Sequence, residues 1–134
     1  MTTTITYSTT RPITAAQLSE VFERAAMKRP IHDLDRLQTM LDNADLTISA
    51  WDGDRLVGIA RALTDFSYCC YLSDLAVDNE YQKSSIGSKL VDHVSELIGP
   101  RCSLVLLSAP GAVGYYPKIG FTLADNAYII KRSE

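Results

Sequence analysis

Residues Tyr71–Leu90, YLSDLAVDNEYQKSSIGSKL, carry the reading that decides the fold. The stretch opens as an apolar strand, crosses a short polar turn, and runs through a Ser/Gly-rich loop straight into an amphipathic helix. Such a junction aims several backbone N–H groups, and the positive end of a helix dipole, at one place. It is a seat suited to a phosphate or pyrophosphate.

Upstream of this stretch, Ile5–Ser8 spells a short first strand. Thr14 followed by Gln17 forms a capping box, and Leu18, Val21, Phe22 and Ala25 recur at helical spacing. Pro30, within MKRPIH, interrupts the helix. Asp33 caps a second helix with an apolar face of Leu34, Leu37 and Leu41, ending near Asn43. The period then changes to two: Leu46, Ile48 and Ala50 alternate with polar residues, and Asp52-Gly53 marks a hairpin turn. Arg55–Asp65 and Tyr68–Val77 read as two more strands joined by a tight turn.

Downstream, Ile86, Leu90, Val94, Leu97 and Ile98 make one apolar helix face, stopped by Gly99-Pro100. Ser103–Ser108 reads as a short buried strand, parallel to Tyr68–Val77 because a helix joins the two. A short helix over Ala112–Ile119 is expected to end at Gly120, and Phe121–Ala124 with Tyr128–Ile130 to close the chain as an antiparallel pair. The expected class is α/β (α+β): a single domain with a mixed, mostly antiparallel central sheet flanked by helices and one parallel β-α-β crossover.

A chain of 134 residues with 46% apolar and 22% charged residues has the composition of an ordinary globular domain. Its net charge of −3 argues against non-specific nucleic-acid binding, since no excess of Lys and Arg is present to neutralise phosphates. No apolar run is long enough to span a bilayer, and MTTTITYSTTRP lacks the basic start and apolar stretch of a secretory signal, so the expected location is the cytoplasm. Three cysteines, two of them adjacent at Cys69 and Cys70, match neither a disulfide framework nor a zinc site and read as small packing residues.

The strand, the loop Gln82-Lys83-Ser84-Ser85-Ile86-Gly87, the helix, the next strand and then GAVGYYPKIGF at Gly111–Phe121 together resemble the GNAT superfamily of acetyl-CoA-dependent N-acetyltransferases. The resemblance runs from about Leu46 to Phe121. The family's loop pattern is Q/R-x-x-G-x-G/A, and its second motif is commonly A-x-x-F-Y-E-K-L-G-F. The resemblance implies that backbone amides from Lys83 through Ser84, Ser85, Ile86 and Gly87 to Ser88 hold the coenzyme A pyrophosphate. Lys83 and Lys89 keep positive charge nearby. It implies also that the Leu75–Ala76–Val77 main chain pairs with the pantetheine arm like an added strand. Tyr116 falls where the family's tyrosine protonates the departing thiolate, with Tyr115 at the preceding aromatic place and Ala112 at the small one.

A thiolate leaving group gains from a proton donor held beside it in a water-poor site, which is the chemistry a tyrosine there supplies. Ser85 departs from the family's glycine. Serine fits if its φ stays negative, and its hydroxyl can donate to a phosphate oxygen. An attacking amine must be neutral, so a proton acceptor is expected. Asp74, alone in an otherwise apolar strand, is the candidate base, directly or through a water, or else a structural partner for a backbone or basic group. A main-chain carbonyl reached through water is an alternative base. Tyr71 stands where some family members carry a glutamate, and His32 lies in the loop that would admit the acceptor.

The expected activity is acetyl transfer from acetyl-CoA to a primary amine of a small molecule by direct attack in a ternary complex. The oxyanion would be held by the Leu75 or Val77 amide. Family habit also allows a homodimer. Alternatives are a non-catalytic acyl-CoA-binding module, suggested by Ser85 and the absent strand glutamate, a protein or peptide N-acetyltransferase, and an unrelated nucleotide-binding domain. The last would need repeated βαβ units that this chain lacks.

Overall fold

The computed structural model describes residues 4–134, so the first three residues of MTTTITYSTTRP lie outside the described residues. The capping box holds: Thr14 accepts from the Gln17 N–H, the Gln17 side chain accepts from the Thr14 N–H, and α1 runs Ala15–Arg24. Asp33 accepts from the Arg36 N–H and starts α2, Leu34–Asn43. Of the predicted α2 face, Leu37 is buried while Leu34 stays 46% exposed.

The strands are β1 Thr6–Ser8, β2 Leu46–Asp52, β3 Arg55–Thr64, β4 Cys69–Val77 and β5 Ser103–Val105, and they lie in that order in one sheet. The pairs from β1 to β4 are antiparallel, and β4–β5 is parallel. Between them α3, Ile86–Ile98, makes the expected crossover. Its buried face is Ile86, Leu90, Val91, Val94 and Ile98; Leu97, assigned to that face from the sequence, is 47% exposed, and Val91 takes its place.

Two apolar layers cover the two faces of the sheet. α3 packs with Ile48, Ala50, Val57, Ala60 and Leu72, while α1 and α2 pack with Trp51, Leu56, Ile59 and Ala76. β3 sits in the middle of the sheet and is buried from Leu56 to Ala62, so its sequence is a continuous apolar run rather than an alternation. Gly58 lets α3 come close: a Cβ there would lie 3.1 Å from Ile86 Cγ2 and 3.2 Å from Leu90 Cδ1.

Register irregularities decide which face several residues reach. Trp51 pairs with Leu56 and Ala50 with Gly58, so Val57 is an extra residue on β3. Arg61 pairs with Asp74 and Ala62 with Leu72, so Ser73 is an extra residue on β4. A bulge of this type re-aims the residues that follow it. Cys70 and Leu72 face the α3 layer, whereas after the bulge Asp74 and Ala76 face the layer of α1 and α2.

The C-terminal quarter departs from the sequence expectation. The strand expected over Ser103–Ser108 pairs only at Cys69↔Ser103, Cys70↔Leu104 and Tyr71↔Val105, and it is half-exposed rather than buried, because it has a neighbour on one side only. The helix expected over Ala112–Ile119 is two separate 3-10 turns, Pro110–Ala112 and Tyr116–Ile119. Pro117 has no N–H to continue a helix begun earlier but suits the opening residues of a new turn, where N–H groups lack partners anyway. Gly120 does end this segment, at φ 102°. The antiparallel pair expected at Phe121–Ala124 and Tyr128–Ile130 does not form, and Leu123, Tyr128 and Ile130 are 83%, 99% and 99% exposed. A two-stranded pair that does not pack on the rest of the sheet is marginal in water.

The β3–β4 turn carries a device of its own. The N–H groups of Tyr68, Ser67 and Cys69, in that order of weight, hold the Asp65 carboxyl down at about 2. The bonds measure 2.8, 2.9 and 3.1 Å. A depressed folded-state value adds stability above the unfolded carboxyl range, near pH 4, and loses it as pH falls toward 2. Asp65→Asn should therefore lower the denaturant midpoint at pH 7. The gap to the parent protein should close progressively between about pH 4 and pH 2.

Candidate functional site

Pairing of β4 with β5 ends at Tyr71↔Val105, so the outer edge of β4 beyond that point has no strand beside it. The Asp78 N–H donates to Val57 O at 2.8 Å, which turns Asp78 toward β3. Alternation then directs the main chains of Val77 and Leu75 to the open edge and that of Ala76 toward β3. Gln82 Nε2 donates to Val77 O at 3.2 Å, as that direction requires. Ala76, with its side chain in the core, thus contributes packing rather than an exposed amide.

The polar stretch after β4 is more ordered than a loop. Asn79–Ser84 is a 3-10 helix capped by Asp78, whose carboxylate accepts from the Glu80 N–H. Gln82, Lys83 and Ser84 therefore sit on a helical turn. Gln82 also donates to Asn79 Oδ1 at 2.9 Å, and Ser84 Oγ donates to Tyr81 O at 2.6 Å. Asp78 is buried at 1% exposure and takes Arg55 Nη2 at 2.8 Å, with Arg24 at 3.6 Å. Burial pushes its carboxyl up, but the Glu80 N–H and the Arg55 and Arg24 guanidiniums outweigh that and hold it below its ordinary value. The Asp78–Glu80–Tyr81 spacing was the sequence signal for this cap, and it went unread.

Ser85 joins the two helices at φ 62°, ψ 19°. This corrects the expectation of a negative φ: Ser85 takes the left-handed conformation that the family's glycine would take, at a cost of about 1–2 kcal/mol for an L-residue. No side chain caps α3, and its first α-helical bond is from the Lys89 N–H to Ser85 O at 3.1 Å. The first-turn amides at Ile86, Gly87 and Ser88 lie N-terminal to that bond, where helical N–H groups lack intrahelical partners. The Ile86 side chain is buried, so only its main chain is available here, while Lys83 and Lys89 are exposed.

Tyr115 and Tyr116 reach this region from beyond β5. The Tyr115 hydroxyl lies over Gly87, 2.7 Å from where a Cβ would stand. Tyr116 packs edge-on between Tyr115 and Phe121, with ring centroids 5.3 and 5.5 Å away. Burial pushes the Tyr116 phenol above its ordinary value of 10.0; Tyr115 adds to this, and Arg29 pulls the other way.

Asp74 has both carboxylate oxygens engaged by arginines. It is fully buried, with Oδ1 accepting from Arg29 Nε at 2.6 Å and Oδ2 from Arg61 Nε at 2.5 Å. The general-base expectation is corrected accordingly: both oxygens are held by guanidiniums, and the bulge at Ser73 is what turns the side chain toward them. His32 is exposed on the α1–α2 loop, and Tyr71 ends the β4–β5 pairing. Arg29 and Arg61 were missed from the sequence. The available signal was a lone arginine in the apolar run of one strand and a lone aspartate in the next.

Residues 10–131 match the acetyltransferase (GNAT) domain family. A chloroplastic GCN5-related N-acetyltransferase 1 of Arabidopsis thaliana is 28% identical over 117 residues, which are 84% of this chain and 58% of that protein. The chain thus spans 58% of the length of the curated relative it matches. A Staphylococcus aureus protein described as a probable acetyltransferase superposes with a TM-score of 0.82 at 24% identity, over 96% of this chain and 100% of its own. A GNAT-family acetyltransferase of Streptococcus pneumoniae gives 0.77 at 22% identity, over 98% and 100%. At these identities the two solved structures speak for the fold. With the family's domain matched over residues 10–131, the chain belongs to the GNAT acetyltransferase family.

Proposed function

We propose that this protein transfers an acetyl group from acetyl-CoA to the primary amine of a small molecule by direct attack in a ternary complex. One observation carries the reading. Around Gly87 gather the uncapped start of α3, Val77 of the open β4 edge and, packed against Tyr115, the half-buried Tyr116. The first suits a pyrophosphate, the second an amide-bearing arm added as a strand, and the third a departing thiolate.

In this reading acetyl-CoA supplies the activated thioester as co-substrate. The amides from Lys83 to Ser88 hold its pyrophosphate, and Lys83 and Lys89 add charge. The outward main chain of Leu75 and Val77 aligns its arm, and one of their amides faces the carbonyl oxygen as negative charge develops there. Tyr115 covers Gly87 and closes the seat from above. Tyr116 holds the proton that the thiolate takes as the C–S bond breaks. Because Asp74 is committed to its two arginines, the amine loses its own proton to water, and only its neutral form attacks.

Three outcomes test this. Tyr116→Phe should lower the rate of thiol release at saturating acetyl-CoA and amine by about 10²-fold or more while calorimetric coenzyme binding persists; an undiminished rate removes the acid role. The rate should rise with pH along the acceptor's own amine titration. It should not fall through Tyr116 ionisation until above pH 10, since the raised phenol stays protonated up to there. Ser85→Gly should keep coenzyme binding and raise the unfolding free energy by about 1 kcal/mol. The relief of left-handed strain exceeds the added freedom of the unfolded chain.

A further inference from the structure

Arg29, Asp74 and Arg61 form a cluster whose charges do not balance. Asp74 is fully buried and Arg61 is 6% exposed. Both guanidiniums use this one carboxylate, and among the described residues neither forms an ion pair with another acid. One positive charge is left over in a largely desolvated place. The two arginines differ in exposure rather than in the number of their bonds. Arg61 belongs to β3, donates to Asp74, to Ser73 Oγ at 3.1 Å and to Met40 O at 3.4 Å, and keeps only 8% of its side-chain surface open, so its remaining donors are shut away from solvent. Arg29 comes from the α1–α2 loop, and its side chain keeps 24% of its surface open.

Arg29 is also placed where an acceptor would arrive. Its Nη2 donates to Ser73 O at 2.9 Å, the carbonyl of the bulge residue, on β4 just beyond the point where β5 has left. Its Nη1 donates to Lys28 O at 2.8 Å and its Nε to Asp74. A guanidinium has five N–H donors, so about two of Arg29's lack a partner within the chain. Its charge is near enough to lower the Tyr116 phenol against the effect of burial. A surplus guanidinium with spare donors at the rim of a part-dry site attracts and orients an anion, and its fork suits a carboxylate.

We propose that Arg29 is a specificity-determining residue, and that it selects amine acceptors bearing a carboxylate. The inference rests on the acetyl-transfer reading above and narrows it from primary amines in general to amino acids and related zwitterions. The carboxylate meets the outer donors of Arg29, which places the amine end toward the open edge of β4 and Tyr116.

The test measures thiol release from acetyl-CoA with paired acceptors that differ only in that group. The pairs are glycine and glycinamide, β-alanine and β-alaninamide, and γ-aminobutyrate with its amide, together with phosphoethanolamine against ethanolamine. Rates are compared at matched concentrations of neutral amine. The expected result is a preference of at least about tenfold in kcat/KM for one or more carboxylates over the amide partner, expressed mainly in KM. Arg29→Gln should abolish it by raising KM for the carboxylate alone, and Arg29→Lys, which keeps the charge without the fork, should retain part of it. Thermal unfolding of both variants with acetyl-CoA bound shows whether the fold is kept; if Arg29→Gln does not fold, the Arg29→Lys comparison and the parent protein's preference decide.

Equal use of amides and carboxylates, or a preference that survives in folded Arg29→Gln, overturns the inference and leaves acetyl transfer standing. A preference for phosphoethanolamine over every carboxylate overturns the carboxylate assignment in favour of a phosphate. Thiol release with no amine at all overturns both readings.

Discussion

The carboxylate of Asp74, shared between Arg29 and Arg61, is the constraint on which the rest of the site depends. It joins three parts of the chain that would otherwise be independent: the α1–α2 loop, the middle of β3 and the bulge of β4. A fully buried carboxylate is unfavourable unless its oxygens are satisfied, and the two guanidiniums satisfy them. Removing Asp74 would leave both guanidiniums without their shared acid, at a cost of about 3–5 kcal/mol. The loop that borders the open edge of β4 is therefore tied to the sheet by this ion cluster as well as by the packing of Ala25, Met27 and Ile31.

A second buried acid, Asp78, does similar work one turn further along. It ends β4, caps the 3-10 helix and takes Arg55 and Arg24. The position of Ser85, and with it the direction of the first α3 amides, follows from that cap. The apolar layer under α3 sets how close the helix can come, through Gly58. The start of α3 is thus shaped by one satisfied acid, one strained serine and one missing side chain.

Much of the architecture was legible because it is local. The capping box of α1, the Asp33 cap of α2, the Asp52-Gly53 turn and the face of α3 each depend on residues a few positions apart. The crossover followed from strand–helix–strand order and chain handedness. What was not legible depends on partners. The stretch Ser103–Ser108 is apolar enough for a buried strand, yet its pairing stops after three residues because β4 and β5 diverge. Phe121–Ala124 and Tyr128–Ile130 have strand-forming side chains, yet they pair with no strand of the sheet. Tyr115 and Tyr116 were found by motif, but that one covers Gly87 and the other meets Phe121 edge-on is a matter of how the 3-10 turns fold.

By itself, the sequence determined the five strands and three α-helices from β1 to β5 and their order, since periodicity, caps and turn residues act within a few positions along the chain. The tertiary structure alone decided what Asp74 does. As a lone acid in an apolar strand it suggested a base; the bulge at Ser73 turned it to the opposite face, where two arginines 45 and 13 residues away hold it. Contacts so remote in sequence leave no periodic trace, and a bulge is set by the register of two strands together rather than by either one.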